Sequence, residues 1–263
     1  MFIIDYHHHT NHSFDSQASM QAVCEAAIQK GVKEICFTEH YSVNPLAPTY
    51  GHMYFDKYTA DIQSCRLLFK DRLNIKQGIE LCEPHRLVPE YALALHGLPL
   101  DFILGSIHNI DNQKLRSIIS QYGTSAFLPY FEELYKMVAT ADIDVIAHFD
   151  LIKRYSYDAV GDYPFQTYKG IIQDILEKAI DRGIGLEINT SGLRSRFKTT
   201  LPSIDILKMY KDLGGEILTV GSDSHSPETA ASHISDAYSL ASECGFKAVY
   251  TFDKRKPSAI ALP

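Results

Sequence analysis

The sequence predicts an α/β protein folded as a closed barrel of parallel strands wrapped by helices. Three observations predict it. Short β-branched runs alternate with longer amphipathic stretches along the whole chain, as successive βαβ units do. The runs are almost wholly apolar, the pattern of strands buried on both faces. Glycines close the amphipathic stretches before the next run begins.

In chain order, the strand-like runs are Phe2–Asp5, Glu34–Thr38, Ile75–Glu80, Phe102–Ile107, Val145–His148, Gly185–Asn189 and Ile217–Ser222, with a weaker eighth at Ala248–Phe252. Helical spacing places Met20, Val23, Ala27 and Ile28 on one face before Gly31. It does the same for Tyr168, Ile171, Ile172, Ile175, Leu176 and Ala179 before Gly183. Ile204, Leu207 and Tyr210 precede Gly214, and Ile234, Ala237, Tyr238 and Ala241 precede Gly245. The stretch Asn44–Phe55, rich in Pro, Tyr and His, reads as a long loop after the second run. Seven or eight units without a linker or low-complexity tract predict one domain over residues 1–263.

Composition narrows the function. With 25 basic and 32 acidic residues the formal net charge is −7, against a nucleic-acid footprint or a polybasic membrane anchor. No apolar run approaches the roughly 18 residues of a membrane span, and Met1–Ile4 is too short for a signal peptide. Cys24, Cys36, Cys65, Cys82 and Cys244 show no C-x-x-C spacing and read as reduced, buried thiols. A cytoplasmic location is expected.

The chain has twelve histidines, and their placement matters more than their number. His7, His9 and Asp15 follow the first run, His40 the second, Glu80 ends the third, and His108 and His148 follow the fourth and fifth. The seventh runs into Asp223-x-His225. In a parallel barrel the C-terminal strand ends share one face, where active sites lie. Residues i and i+2 of a strand point the same way, so His7 and His9 can offer two nitrogens to one ion. Imidazole with carboxylate and no thiolate suits Zn²⁺, Mn²⁺ or Fe²⁺. Nine donors exceed the three or four that one catalytic zinc takes. A cluster of two or three ions is expected, with Glu80 a natural bridge. His12, His52, His85, His96 and His233 lack the strand-end setting, and His8 points away from its neighbours.

These residues carry a resemblance. D-x-H-x-H-T-x-x-S-x-D at Asp5–Asp15, T-E-H at Thr38–His40, G-I-E at Gly78–Glu80, His108, His148 and G-S-D-S-H at Gly221–His225 resemble the polymerase and histidinol phosphatase (PHP) superfamily. Two further segments, A-H-F-D-L-I-K-R-Y at Ala147–Tyr155 and E-I-N-T-S-G-L-R at Glu187–Arg194, look like the monofunctional L-histidinol-phosphate phosphatases of histidine biosynthesis. The resemblance implies a distorted (β/α)7 barrel, similar to a TIM barrel, with three divalent ions. It implies His7, His9, Glu80 and Asp223 on the first ion and Glu80, His108 and His148 on the second. The third falls to His40 and His225 with Asp15, where some relatives have histidine.

Implied too is hydrolysis of a small-molecule phosphate monoester, L-histidinol phosphate. Paired ions lower the pKa of a shared water toward about 7 and stabilise charge on phosphate oxygens. Arg154, Arg194 and Arg196 sit in loops at the same mouth, and guanidinium matches phosphate in a bidentate fork. Arg154 and Arg194 are the preferred pair. Asp223 is the expected proton donor to the leaving group, with His40 or His225 acting through water as alternatives. Tyr50, His52, Tyr54 and Phe55 of the long loop are expected to close over the substrate. The same metal set would also serve a phosphoesterase acting on a nucleotide, a phosphotyrosine or an oligonucleotide end, or a non-catalytic metal-bound module.

Overall fold

The computed structural model describes residues 2–262. Seven parallel strands form one sheet in sequential order: β1 (Ile3–Asp5), β2 (Val32–Tyr41), β3 (Asn74–Cys82), β4 (Phe102–Ser106), β5 (Val145–Ile146), β6 (Gly185–Asn189) and β7 (Leu218–Gly221). The seven expected runs are these seven strands. The sheet curls until its ends meet. Tyr6 N–H donates to Val220 O at 2.9 Å, Asp223 N–H to His7 O at 2.8 Å, and His8 bridges Ser224 in parallel.

Ten helices lie in the connections among the described residues. Their inward faces follow the spacing read from the sequence. In α1 (Met20–Gln29), capped by Ser19 Oγ on Ala22 N–H, the buried residues are Met20, Val23, Cys24 and Ala27. In α10 (Ile234–Glu243) they are Ile234, Ala237, Tyr238 and Ala241. Gly31 and Gly245 follow these helices with φ of 80° and 86°, a conformation that penalises a β-carbon. The five cysteines are buried and unpaired. Among the described residues, no helix is long and apolar enough to cross a membrane.

The expected eighth unit is corrected. Strand β8 (Ala248–Asp253) exists, but it pairs antiparallel with β9 (Lys256–Ala261) as a separate hairpin. That hairpin lies across the N-terminal ends of the barrel strands. Phe252 meets Phe102 and Tyr6 with ring centroids 4.8 and 6.4 Å apart, and Tyr6 meets Phe102 at 5.1 Å. Arg255 ties the turn to Asp142 and Asp144, just before β5.

Candidate metal centre

Strand register brings the donors together. In the β2–β3 ladder His40 is the partner of Glu80, so side chains from adjacent strands emerge side by side. His7 and His9 rise from the end of β1, and their Nε2 atoms lie 3.1 Å apart. Both stand near Glu80 Oε2, at 3.4 and 3.6 Å, and near Asp223 Oδ1, at 3.6 and 3.5 Å. Four donors bound tetrahedrally to zinc at about 2.0–2.1 Å stand about 3.3–3.4 Å from one another. The other Glu80 oxygen faces a second set, with Oε1 2.8 Å from His148 Nε2 and 3.5 Å from His108 Nε2. A third set centres on Asp15 Oδ2, 3.4 Å from Nε2 of both His40 and His225. The structure thus brings together all nine expected side chains; His9 also lies within reach of His40 and His225, and Cys82 within reach of His40 and His108.

The second ring nitrogens show what the first ones are for. His7 Nδ1 is 2.7 Å from Glu187 Oε1, His9 Nδ1 3.1 Å from Ser13 Oγ, and His225 Nδ1 3.3 Å from the Asp223 carbonyl. His108 Nδ1 lies 3.2 Å from Ser106 Oγ, whose own proton goes to Leu81 O. With Nδ1–H engaged, the Nε2 of each ring is the nitrogen that can turn a lone pair toward the centre when a cation takes the place of its proton, the tautomer a metal ligand needs. Glu187 is the residue that strand-end reasoning missed. It lies within β6, accepts from His148 N–H at 2.7 Å as well as holding His7, and is itself held by Asn189 Nδ2 at 3.1 Å. The signal was an acidic residue inside an otherwise apolar strand, two residues before a polar partner on the same face. Gly221 makes room for this contact: a β-carbon there would come within 2.3 Å of Glu187 Oε1 and of His7 Cβ.

Burial sets the electrostatics. It opposes charge on Glu80, yet the imidazoles of His40, His7 and His108 hold that carboxyl well below its ordinary range. Asp15 and Asp223 are likewise depressed against burial, Asp15 by His225 and His40, Asp223 chiefly by His7, His9 and Arg154. Burial lowers His9, helped by His40 and His225, and pushes His108 down to about 3, leaving both neutral. Burial opposes a charge on His7 too, but Glu187, Glu80 and Asp223 raise it well above its ordinary value. Glu80 is fully buried, and the groups nearest its Oε2 are imidazole nitrogens, His40 Nδ1 at 2.7 Å, His7 Nε2 at 3.4 Å and His9 Nε2 at 3.6 Å. A carboxylate buried among imidazole nitrogens alone is a costly arrangement unless cations sit beside it. The residues present therefore fit divalent ions.

Above the cluster opens a cavity of about 380 Å³. Arg154 reaches into it, donating to Asp223 Oδ2 at 3.0 Å and to Ser191 Oγ. Lys114, at the end of a short strand after β4, and Arg116, in the helix Leu115–Tyr122 where it stacks on the ring of Tyr155, also line the cavity, and sequence reading passed over both. Arg194 is not brought into the cavity. Its Nη2 donates to the carbonyls of Ser222 and Asp223, at 2.8 and 3.2 Å, bracing the turn that carries Asp223. Arg196 is exposed and paired with Asp158 at 3.2 Å. The long loop contributes Ala47, Pro48 and Thr49 to the wall rather than its aromatic residues; Tyr50 and Tyr54 are exposed. His8 is buried on the far side of its strand against Phe37, and His12, His85 and His233 pair with Asp61, Glu133 and Asp236.

Comparison with known proteins places this geometry. A family model described as PHP domain matches residues 5–191. A histidinol-phosphatase of Lactococcus lactis subsp. lactis is 30% identical over 97% of this chain and 98% of its own length. A probable histidinol-phosphatase of Clostridium acetobutylicum is 29% identical over 96% and 98%. The crystal structure of the Lactococcus histidinol phosphate phosphatase, complexed with zinc, L-histidinol and phosphate, superposes with a TM-score of 0.90 at 27% identity, covering 97% of this chain and 98% of that one. The fold also matches a histidinol phosphatase-like structure from Listeria monocytogenes, TM-score 0.75 at 18% identity over 89% and 99% of the two chains.

Proposed function

The chain belongs to the PHP domain family, and from that premise we propose that it is a metal-dependent phosphatase that hydrolyses L-histidinol phosphate to L-histidinol and phosphate, a step of histidine biosynthesis. The observation that carries the reading is the nine-residue cluster, whose three donor sets meet at metal-ligand spacings beneath a substrate-sized cavity. Full-length similarity to histidinol-phosphatases supports the substrate. We assign three ions, zinc, manganese or iron, to the sets His7–His9–Glu80–Asp223, Glu80–His108–His148 and Asp15–His40–His225. The family match ends at residue 191, but Asp223 and His225 complete the cluster from β7. That supports a single functional domain over residues 1–263.

When bound, such ions supply an activated water and neutralise the phosphate oxygens. The protein's own residues do the rest. Arg154 presents a guanidinium to the phosphate, held in place by Asp223 and Ser191. Lys114 and Arg116 add positive charge at the mouth, which draws an anion to a chain of net charge −7. Asp223, kept ionised by His7, His9 and Arg154, is suited to binding a cation and orienting Arg154 rather than to donating a proton. Proton delivery to the leaving oxygen then falls to water at the Asp15–His40–His225 set. Arg194 acts by holding the Asp223 turn, and Arg196 has no contact that supports a part in binding.

The reading is tested by phosphate release from L-histidinol phosphate in metal-supplemented buffer, beside p-nitrophenyl phosphate, a nucleotide and phosphotyrosine. The expected kcat/KM for L-histidinol phosphate exceeds about 10⁴ M⁻¹s⁻¹ and stands far above the others. Equal, slow turnover of all four would overturn the substrate assignment.

A further inference from the structure

The turn that carries His108 is held by a residue outside the donor cluster. Glu83 follows β3 with φ 48° and ψ 49°, a left-handed conformation that costs a non-glycine residue and persists only where its surroundings enforce it. Its carboxylate is buried beneath the end of β4. Oε1 accepts from the backbone N–H groups of His108 at 2.6 Å and Asn109 at 2.9 Å, and Oε2 accepts from Asn109 Nδ2 at 3.1 Å. Glu83 N–H in turn donates to Ser106 O at 2.9 Å. Ser106 Oγ donates to Leu81 O at 2.9 Å and takes the ring proton of His108. The ends of β3 and β4 are thus laced together on both sides of the Glu80–His108 pair. Glycine would adopt this backbone without strain, so the turn alone does not explain a glutamate; the three hydrogen bonds do.

From this geometry we propose that Glu83 is a positioning residue, which sets His108 for the ion held by Glu80, His108 and His148 and fixes Asn109 in the cavity wall. The inference rests on the metal-centre reading above. Outer partners of this kind typically change metal affinity 10- to 100-fold.

The test compares Glu83→Gly, which suits the turn but removes the clasp, with Glu83→Gln, which keeps an acceptor oxygen for the two backbone N–H groups. Zinc uptake from limiting metal is measured by mass spectrometry beside thermal melting and turnover of p-nitrophenyl phosphate. The expected result is a folded Glu83→Gly that binds one ion at least tenfold more weakly than wild type, the others within twofold, and a Glu83→Gln that recovers most of the loss. Should the glycine variant not fold, Glu83→Asn, tolerant of left-handed backbone but one methylene too short, is expected to lose the same ion. Wild-type affinity for every ion in Glu83→Gly, or in Glu83→Asn if that variant is used, overturns the proposal. A wild-type chain that takes up no zinc overturns the metal-centre reading, and this proposal with it.

Discussion

At the N-terminal end of the barrel, Tyr6, Phe102 and Phe252 meet ring to ring, and Arg255 pairs with Asp142 and Asp144. At the C-terminal end, six imidazoles and three carboxylates face one another, His148 Nδ1 is buried without a hydrogen-bond partner, and His148 and Asp223 hold positive φ values of 25° and 50°. The lower end is what a chain does to lower its free energy: aromatic surface leaves water and charges find partners. The upper end does the opposite, keeping charges buried and backbone strained unless cations arrive. Strain and unsatisfied groups of this kind cluster where function requires them. The lower end therefore governs stability and the upper end activity.

Substitutions at the two ends should separate along that line. The largest effect is expected from Glu80→Gln, which faces two donor sets at once. Turnover should fall by about 10³-fold or more and more than one ion should be lost, as read by phosphate release and metal analysis. An enzyme with near-normal ion content and rate would break the bridging assignment. Phe252→Ala, at the other end, should cost about 3–5 kcal/mol of stability in urea unfolding and leave kcat of the folded fraction unchanged; a large change in kcat would show that the ends are coupled. Arg154→Met should lower kcat/KM by about 10²-fold while Arg194→Met, which loses two carbonyl contacts, acts mainly through Asp223 and metal retention.

The smallest effect is expected at Arg255. Its partner Asp142 is exposed and is held below its ordinary value of 3.8 by the guanidinium. A depressed carboxyl stabilises the fold above that value and loses its contribution as pH falls through the folded pKa. Asp142→Asn, which leaves Arg255 on its partly buried partner Asp144, should therefore cost no more than about 1 kcal/mol near neutrality, with a deficit that narrows below about pH 4. Activity should not change.

The two ends also differ in how plainly the sequence announces them. The barrel strands were legible because most of their residues are buried and apolar, interrupted only by a few polar positions such as Lys76, Gln77 and Glu187. The nine donors were legible because they stand at or beyond the C-terminal ends of such runs. Ala248–Phe252 has the same apolar character, but pairing is not written in one strand; its partner Lys256–Ala261 is exposed along most of its length and carries no alternation. Glu187 and Glu83 were missed for a related reason. Both act on neighbours distant in the chain, His7 and His108, and their own local sequence says only that a carboxylate is present. Arg194 shows the converse error: its place in a mouth loop was read correctly, but not that its guanidinium turns to two backbone carbonyls. Lys114 lines the cavity from a short hairpin, Asn109–Ile110 with Gln113–Lys114, that leaves no periodic signature, and Arg116 from the first turn of the helix that follows it.

The proposed role of three ions at the upper end can be read from a single titration: the protein is stripped of metal and phosphate release from L-histidinol phosphate is followed as zinc is added back in counted equivalents. No turnover is expected without metal, with a rise that levels off at about three equivalents per chain, the sum of the three donor sets. Full turnover in the presence of excess chelator, or none at any equivalence, would contradict it.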